Sequence, residues 1–234
     1  MTTLVPLQQP IRINKHVYEA IETAIVQGEL AANTEISDRR LAEMLEVSRT
    51  PVRDALLQLE AAGLVVRKGG IRWAVAGFNE RDVRERFEVR RLLEPLGLER
   101  LAMDWDEATV RSLTTMFADF PSTLSPDQYT EYLAMDNKFH NAIVGCSDNR
   151  QVISFYRMLE KHINRVRFFL APHYEGRIHA VAAEHQRLCW ALEAHDPDES
   201  KQALLDHLNQ GEEKMVEFSK RLHYGDASYE VAAS

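Results

Sequence analysis

The sequence predicts a mainly α protein in two parts: a small winged helix-turn-helix unit, then an antiparallel bundle of about six helices. Three observations carry this. Apolar residues recur at helical spacing through most of residues 14–222. The two β-type runs in "LVVRKGGIRWAV" flank Gly69-Gly70 and read as a hairpin. After residue 79 no strand-like alternation appears.

The elements follow in order. Val17, Ile21, Ala24 and Ile25 set a first helix over 14–28, stopped at Gly28. Ser37 caps "DRRLAEML", whose Leu41, Met44 and Leu45 form a second apolar face. A third helix starts at Ser48 or Thr50 and carries Val52, Ala55, Leu56 and Leu59 to Gly63. Pro51 fits its first turn, where an N–H has no intrahelical partner. Helix, helix, short turn, helix and hairpin is the winged helix-turn-helix layout. Asn79, with Asp82 three residues on, opens the bundle. Its segments are 80–103, 107–118, 126–146, 149–171, 175–195 and 197–222, with breaks at Asp104–Asp106, Pro121–Ser125, Cys146–Asp148, Pro172 and Asp196-Pro197. The expected domains are an arm over 1–11, the winged unit over 12–77, the bundle over 78–222 and a tail over 223–234.

Composition narrows the function. The 234 residues are 45% hydrophobic and 27% charged, ordinary for a globular protein. No run is long and apolar enough to span a membrane, and the N-terminus lacks a basic start followed by an apolar core. With Cys146 and Cys189 as the only cysteines, a reducing compartment, the cytoplasm, is expected. The net charge of −8 is uneven: through residue 77, nine Lys/Arg balance nine Asp/Glu, so the whole excess lies beyond it. Global acidity therefore does not argue against nucleic-acid binding by the first unit.

In a helix-turn-helix the second helix of the pair enters the major groove by its N-terminal end. Arg49, Thr50 and Arg53 occupy that end, opposite the Val52/Leu56/Leu59 face. Arginine pairs bidentately with guanine, and helix N-termini suit phosphates. Arg39 and Arg40 open the preceding helix, while Arg67, Lys68 and Arg72 lie on the wing. Any one of these is equally read as a solvated cation balanced by Asp38, Glu43, Glu46 or Asp54; their ordered ensemble is not. The stretch "SDRRLAEMLEVSRTPVRDALLQLEAAGLVVRKGG" resembles the DNA-binding domain of GntR-type bacterial transcription regulators. The resemblance covers residues 12–77 and implies that Arg39, Arg49 and Arg53 are the main DNA contacts, assisted by the wing. Glu46 departs from the glycine that the family commonly places before "VSR".

The bundle carries polar groups on apolar stripes. In "QYTEYLAMDNKFHNAIV", Tyr129, Tyr132, Leu133, Asp136, His140, Ile143 and Val144 share one face. A carboxylate inside a core must be paired, protonated or metal-bound. His185 sits mid-stripe with Ile178, Val181, Ala182, Cys189 and Leu192, and His207 lies at the edge of a Leu204/Leu208/Gly211/Met215/Phe218 stripe. Asp136, His140, His185 and His207 thus make a three-nitrogen, one-oxygen set suited to a divalent transition metal, Zn or Ni first, with Mn or Fe as alternatives. The competing readings are satisfied core histidines, a mutual Asp136–His140 hydrogen bond, or Cys189 as a ligand. His162, His173, His179 and His195 fall near helix ends or on polar faces.

Residues 80–222 resemble the FCD effector domain of the FadR subfamily, through "MDNKFH", "AEHQRL" and "LLDHLN". That resemblance implies a metal-ligand role for the same four residues, and six helices rather than seven imply the VanR-like branch. Arg90 shares an inward face with Val83, Phe87 and Leu101, and "FEVR" matches the region where the family can hold a ligand carboxylate. A small organic acid reaching Arg90 is the expected effector, with Arg165 or Arg167 as rival anchors; alternatively Glu94, one turn on, simply neutralises Arg90. The sequence thus predicts a homodimeric repressor on a palindromic double-stranded DNA operator, responsive to metal and acid. The alternative is a helical metalloenzyme using the His₃Asp set, for which no further pair of catalytic groups is visible.

Overall fold

Up to residue 77 the chain forms one compact unit and from Phe78 a second. The computed structural model describes residues 11–117, 126–170 and 177–224. The predicted arm, the breaks at Pro121–Ser125 and Pro172, and most of the tail lie outside these.

The first unit runs α1 (Ile11–Val26), β1 (Glu35–Ile36), α2 (Asp38–Met44), α3 (Arg49–Ala61), β2 (Val65–Lys68) and β3 (Arg72–Val75). Val17, Ile21 and Ile25 of α1 pack on Val52, Leu56 and Leu59 of α3, with Trp73 and Val75 of β3 in the same core. Ser37 caps α2 by accepting from the Arg40 N–H at 3.3 Å. Gly69 and Gly70, with φ of +60° and +75°, form the tight turn that reverses β2 into β3. The sheet order is β1-β3-β2, all antiparallel, with Ile36 opposite Trp73. Two residues are too short for any alternation to show, so β1 escapes a reading of the sequence. Met44 corrects a second expectation. It is 67% exposed, because the buried side of α2 is centred on Leu41 and Ala42, and Met44 ends the helix beyond it.

The second unit comprises α4 (Glu80–Met103), α5 (Glu107–Thr115), α6 (Pro126–Gly145), α7 (Arg150–Leu170), α8 (Arg177–Glu193) and α9 (Pro197–Tyr224). Asn79 and Asp82 form a reciprocal capping box at the start of α4, with bonds of 2.8 and 3.0 Å. Asp106 caps α5 by accepting from the N–H groups of Ala108 and Thr109, both at 3.2 Å. Helix α4 is the central rod, packed on α9, α6 and α7, while α8 packs on α9 and α5. Pro95 lies within α4, where its missing N–H leaves the Arg91 carbonyl without its helical donor. Two residues on, Gly97 lets α4 touch α6: a Cβ there would stand 1.8 Å from the Ile143 carbonyl oxygen. Phe87, Leu98, Phe139, Ile143, Leu188, Leu204 and Leu208 fill the core between these helices.

Candidate metal centre and nucleic-acid interface

Asp136 and His140 stand one turn apart on α6, so both side chains leave the helix on the same side. Helix α8 brings His185 and α9 brings His207 to the same point. All four are buried, and one ligating atom from each lies within 4.8 Å of every other. His207 was placed at the edge of its stripe by the helical period; the approach of α8 to α9 encloses it fully.

The outer nitrogens of the three rings are each occupied. His140 Nδ1 is 2.8 Å from Glu94 Oε2, His207 Nδ1 is 2.8 Å from Glu184 Oε2, and His185 Nδ1 is 3.4 Å from the Tyr132 hydroxyl. A carboxylate only accepts, so the Nδ1 atoms of His140 and His207 carry the protons and their Nε2 atoms present lone pairs. Those two Nε2 atoms face each other at 3.1 Å. Two lone pairs at that distance repel, and a cation between them removes the conflict. The remaining separations are 3.3 Å from His185 Nε2 to Asp136 Oδ1 and 3.7 Å from His140 Nε2 to the same oxygen. Ligand atoms around a tetrahedral zinc, with bonds near 2.0–2.1 Å, stand about 3.4 Å apart. Donor set, spacing and fixed tautomers therefore fit a divalent transition metal. Cys189 does not join them: its thiol lies in the apolar core, 4.0 Å from the Leu113 carbonyl, and burial pushes it up to about 12.

Charge in this buried site is tightly arranged. Asp136 pairs with the Arg167 guanidinium, which also donates to Asn137 Oδ1 at 3.0 Å. Burial raises the Asp136 carboxyl, but Arg167 outweighs that and holds it well below the ordinary carboxylate range. Glu94, against the pull of burial, is held at about 2 by Arg90 and His140. Burial pushes His185 down and His207 well down, which keeps both neutral and able to ligate. For His140 burial also lowers the value, yet Glu94 overrides it and the net shift is upward.

Arg90 resolves the two readings of its role into one. Its Nε is bonded to Glu94, which also accepts from the Tyr156 hydroxyl at 3.1 Å. Its two Nη groups are buried and have no hydrogen-bond partner among the described residues. Arg167 is committed to Asp136. Arg165 lies over the Phe78 ring and is lowered to about 10 by burial and by neighbouring Arg86. Glu94 and Glu184 are the residues that a reading of the sequence undervalued. Glu184 directly precedes His185, and that adjacency was the available signal.

In the first unit, Arg49, Thr50 and Arg53 are exposed at the start of α3, while Val52, Ala55 and Leu56 are buried behind them. Asp38, at the start of α2, accepts from Arg49 at 2.9 Å and lies 3.8 Å from Arg53, so one carboxylate orients both arginines. Arg39 is exposed and paired with Glu43 at 3.1 Å, and Arg40 is exposed beside it. On the wing, Arg67 stacks over Trp73 at 3.8 Å and reaches Glu60 at 3.2 Å. Arg72 pairs with Glu35 at 2.8 Å, and Lys68 donates to the Asn33 carbonyl at 3.0 Å. Arg49, Arg53, Arg67 and Arg72 line one open cleft between α3 and the wing.

Residues 13–75 match the bacterial regulatory proteins of the gntR family, and residues 85–210 match the FCD domain. The chain belongs to the GntR family and carries an FCD domain. Among its relatives, the HTH-type transcriptional regulator YdhC of Bacillus subtilis is 26% identical over 207 residues, 87% of this chain and 91% of that protein. The HTH-type transcriptional repressor RspR of Escherichia coli is 22% identical over 210 residues, 90% and 92% of the two chains. A GntR regulator from Rhodococcus sp. RHA1 shares the fold, with a TM-score of 0.73 at 19% identity over 88% of this chain and 98% of its own. This GntR protein is accordingly a transcription regulator and not an enzyme, a winged helix-turn-helix followed by an all-α FCD domain. No helix among its described residues is long and apolar enough to cross a membrane.

Proposed function

We propose that this GntR regulator is a cytoplasmic, homodimeric repressor of the FadR subfamily, VanR-like branch, whose operator binding responds to a metal and a small organic acid. The observation that carries the proposal is the convergence of Asp136, His140, His185 and His207 inside a bundle that shares its chain with an arginine-headed α3. Asp136, His140, His185 and His207 hold the metal, with Zn or Ni favoured by the three imidazoles. The metal supplies a Lewis-acid site for a carboxylate oxygen. Arg90 offers its two unpartnered Nη groups to the carboxylate, and Glu94 fixes the guanidinium while orienting His140. Arg167 holds Asp136 so that Oδ1 faces the ring nitrogens.

DNA is read by Arg39, Arg49 and Arg53, with Thr50, Arg40 and the wing residues Arg67, Lys68 and Arg72 on phosphate. A single α3 covers one half-site, so two chains related by a two-fold axis read an inverted repeat. Acid binding alters operator affinity only through unequal affinity for two arrangements of the dimer. The test is a gel shift on the DNA upstream of the protein's own gene. Arg49→Ala and Arg53→Ala each weaken specific binding by about 1–3 kcal/mol, and variants that bind like wild type contradict the assignment.

A further inference from the structure

Helix α4 is apolar on two opposite sides. Its inner side carries Val83, Phe87, Leu98 and Leu101 into the core, together with Arg90 and Glu94. On the outer side, half a turn round the helix, Val89, Leu92, Leu96 and Met103 are exposed, Leu92 by 65% and Met103 by 76%. Helix α7 continues this surface. It runs antiparallel to α4, since Tyr156 reaches Glu94 while Arg165 lies beside Arg86 and Asp82. That pairing sets Phe155 level with Leu96 and Met158 level with Leu92, and these two are 55% and 50% exposed. A monomer gains nothing from large apolar side chains along the solvent side of its central helix.

We infer that the outer face of α4, with Phe155 and Met158 of α7, is where a second copy of this chain docks, α4 against α4 in antiparallel fashion. This names the surface for the dimer proposed above and rests on that reading. Charge points to a second copy as the occupant. A two-fold axis near Leu92 and Leu93 sets Val89 opposite Leu96 of the other copy. It also sets Glu85 opposite Arg100, and Arg81 opposite Asp104. Within one chain Arg81 pairs with Glu85 at 2.6 Å and Arg100 with Asp104 at 2.5 Å. Each end of the apolar stripe therefore carries one charge of each sign, and the antiparallel arrangement brings unlike charges together at both ends. An isologous contact needs such self-complementarity.

The placement has a functional consequence. Val89 and Arg90 are consecutive, so the docking surface and the Arg90–Glu94–His140 chain of contacts lie on two sides of one rigid helix. A shift of α4 on either side moves the other.

Sedimentation equilibrium of the full chain tests the inference, with circular dichroism to verify helix content. Wild type is a dimer, and Leu92→Asp combined with Met158→Glu raises its dissociation constant by ~100-fold or more at unchanged helicity. Glu85→Arg and Arg100→Glu each weaken the dimer a few-fold at low salt, and the double variant restores it. A wild-type chain that stays monomeric overturns the dimer reading itself. A dimeric wild type unaffected by Leu92→Asp with Met158→Glu overturns this surface alone and assigns the face to something other than a second copy. Charge reversals that weaken the dimer without mutual rescue overturn the antiparallel register.

Discussion

At the scale of single residues, Glu46 shows how a family departure acquires a physical meaning. It turns the chain from α2 into α3 at φ +53°, the left-handed region that glycine enters without penalty. A side chain there costs on the order of 1 kcal/mol. Glu46→Gly is expected to raise unfolding free energy by about that amount, read from the urea midpoint at constant m. The sequence made the departure visible; the dihedral angle explains it. Arg90 is the second residue whose meaning changed. Periodicity pointed it inward and offered either a ligand or Glu94 as its partner, whereas the geometry assigns Nε to Glu94 and leaves both Nη groups buried without an acceptor. Arg90→Lys retains the charge that Glu94 needs and removes the fork. Calorimetry with a panel of small mono- and dicarboxylates is expected to show affinity about tenfold weaker, from the loss of a bidentate pair.

Among the elements, the long helices were legible because each repeats an apolar stripe over several turns, and because Asn79 and Asp106 announce their helix starts. Strand β1 was not legible, since its two residues are held only by the free edge of β3. Met44 misled for a related reason: the helical period gives a direction but not where the neighbouring element ends. The same limit explains His207, whose burial depends on how closely α8 approaches. Gly97 is an element-scale feature that no period reveals, as it matters only where α4 meets the backbone of α6. Gly97→Ala forces the helices apart against the Ile143 carbonyl and is expected to cost about 1–3 kcal/mol. The shift separates Glu94 from His140, so thermal denaturation of the variant is expected to fall while α4 itself, given a better helix former, stays helical.

For the molecule as a whole, the two units divide the work along the charge boundary near residue 77. The first is charge-balanced and places its arginines on an open face. The second holds the acidic excess and encloses a polar cluster that is costly without a cation: facing imidazole lone pairs, a buried carboxylate and neutral histidines held below their ordinary range. Binding a metal there converts an internal conflict into a crosslink among α6, α8 and α9. The direct measurement of that claim is the metal content per chain, by elemental analysis, of the purified protein and of a variant carrying both His140→Ala and His185→Ala. The account predicts about one divalent transition metal ion per wild-type chain and almost none in the variant. Equal metal content in the two would contradict it.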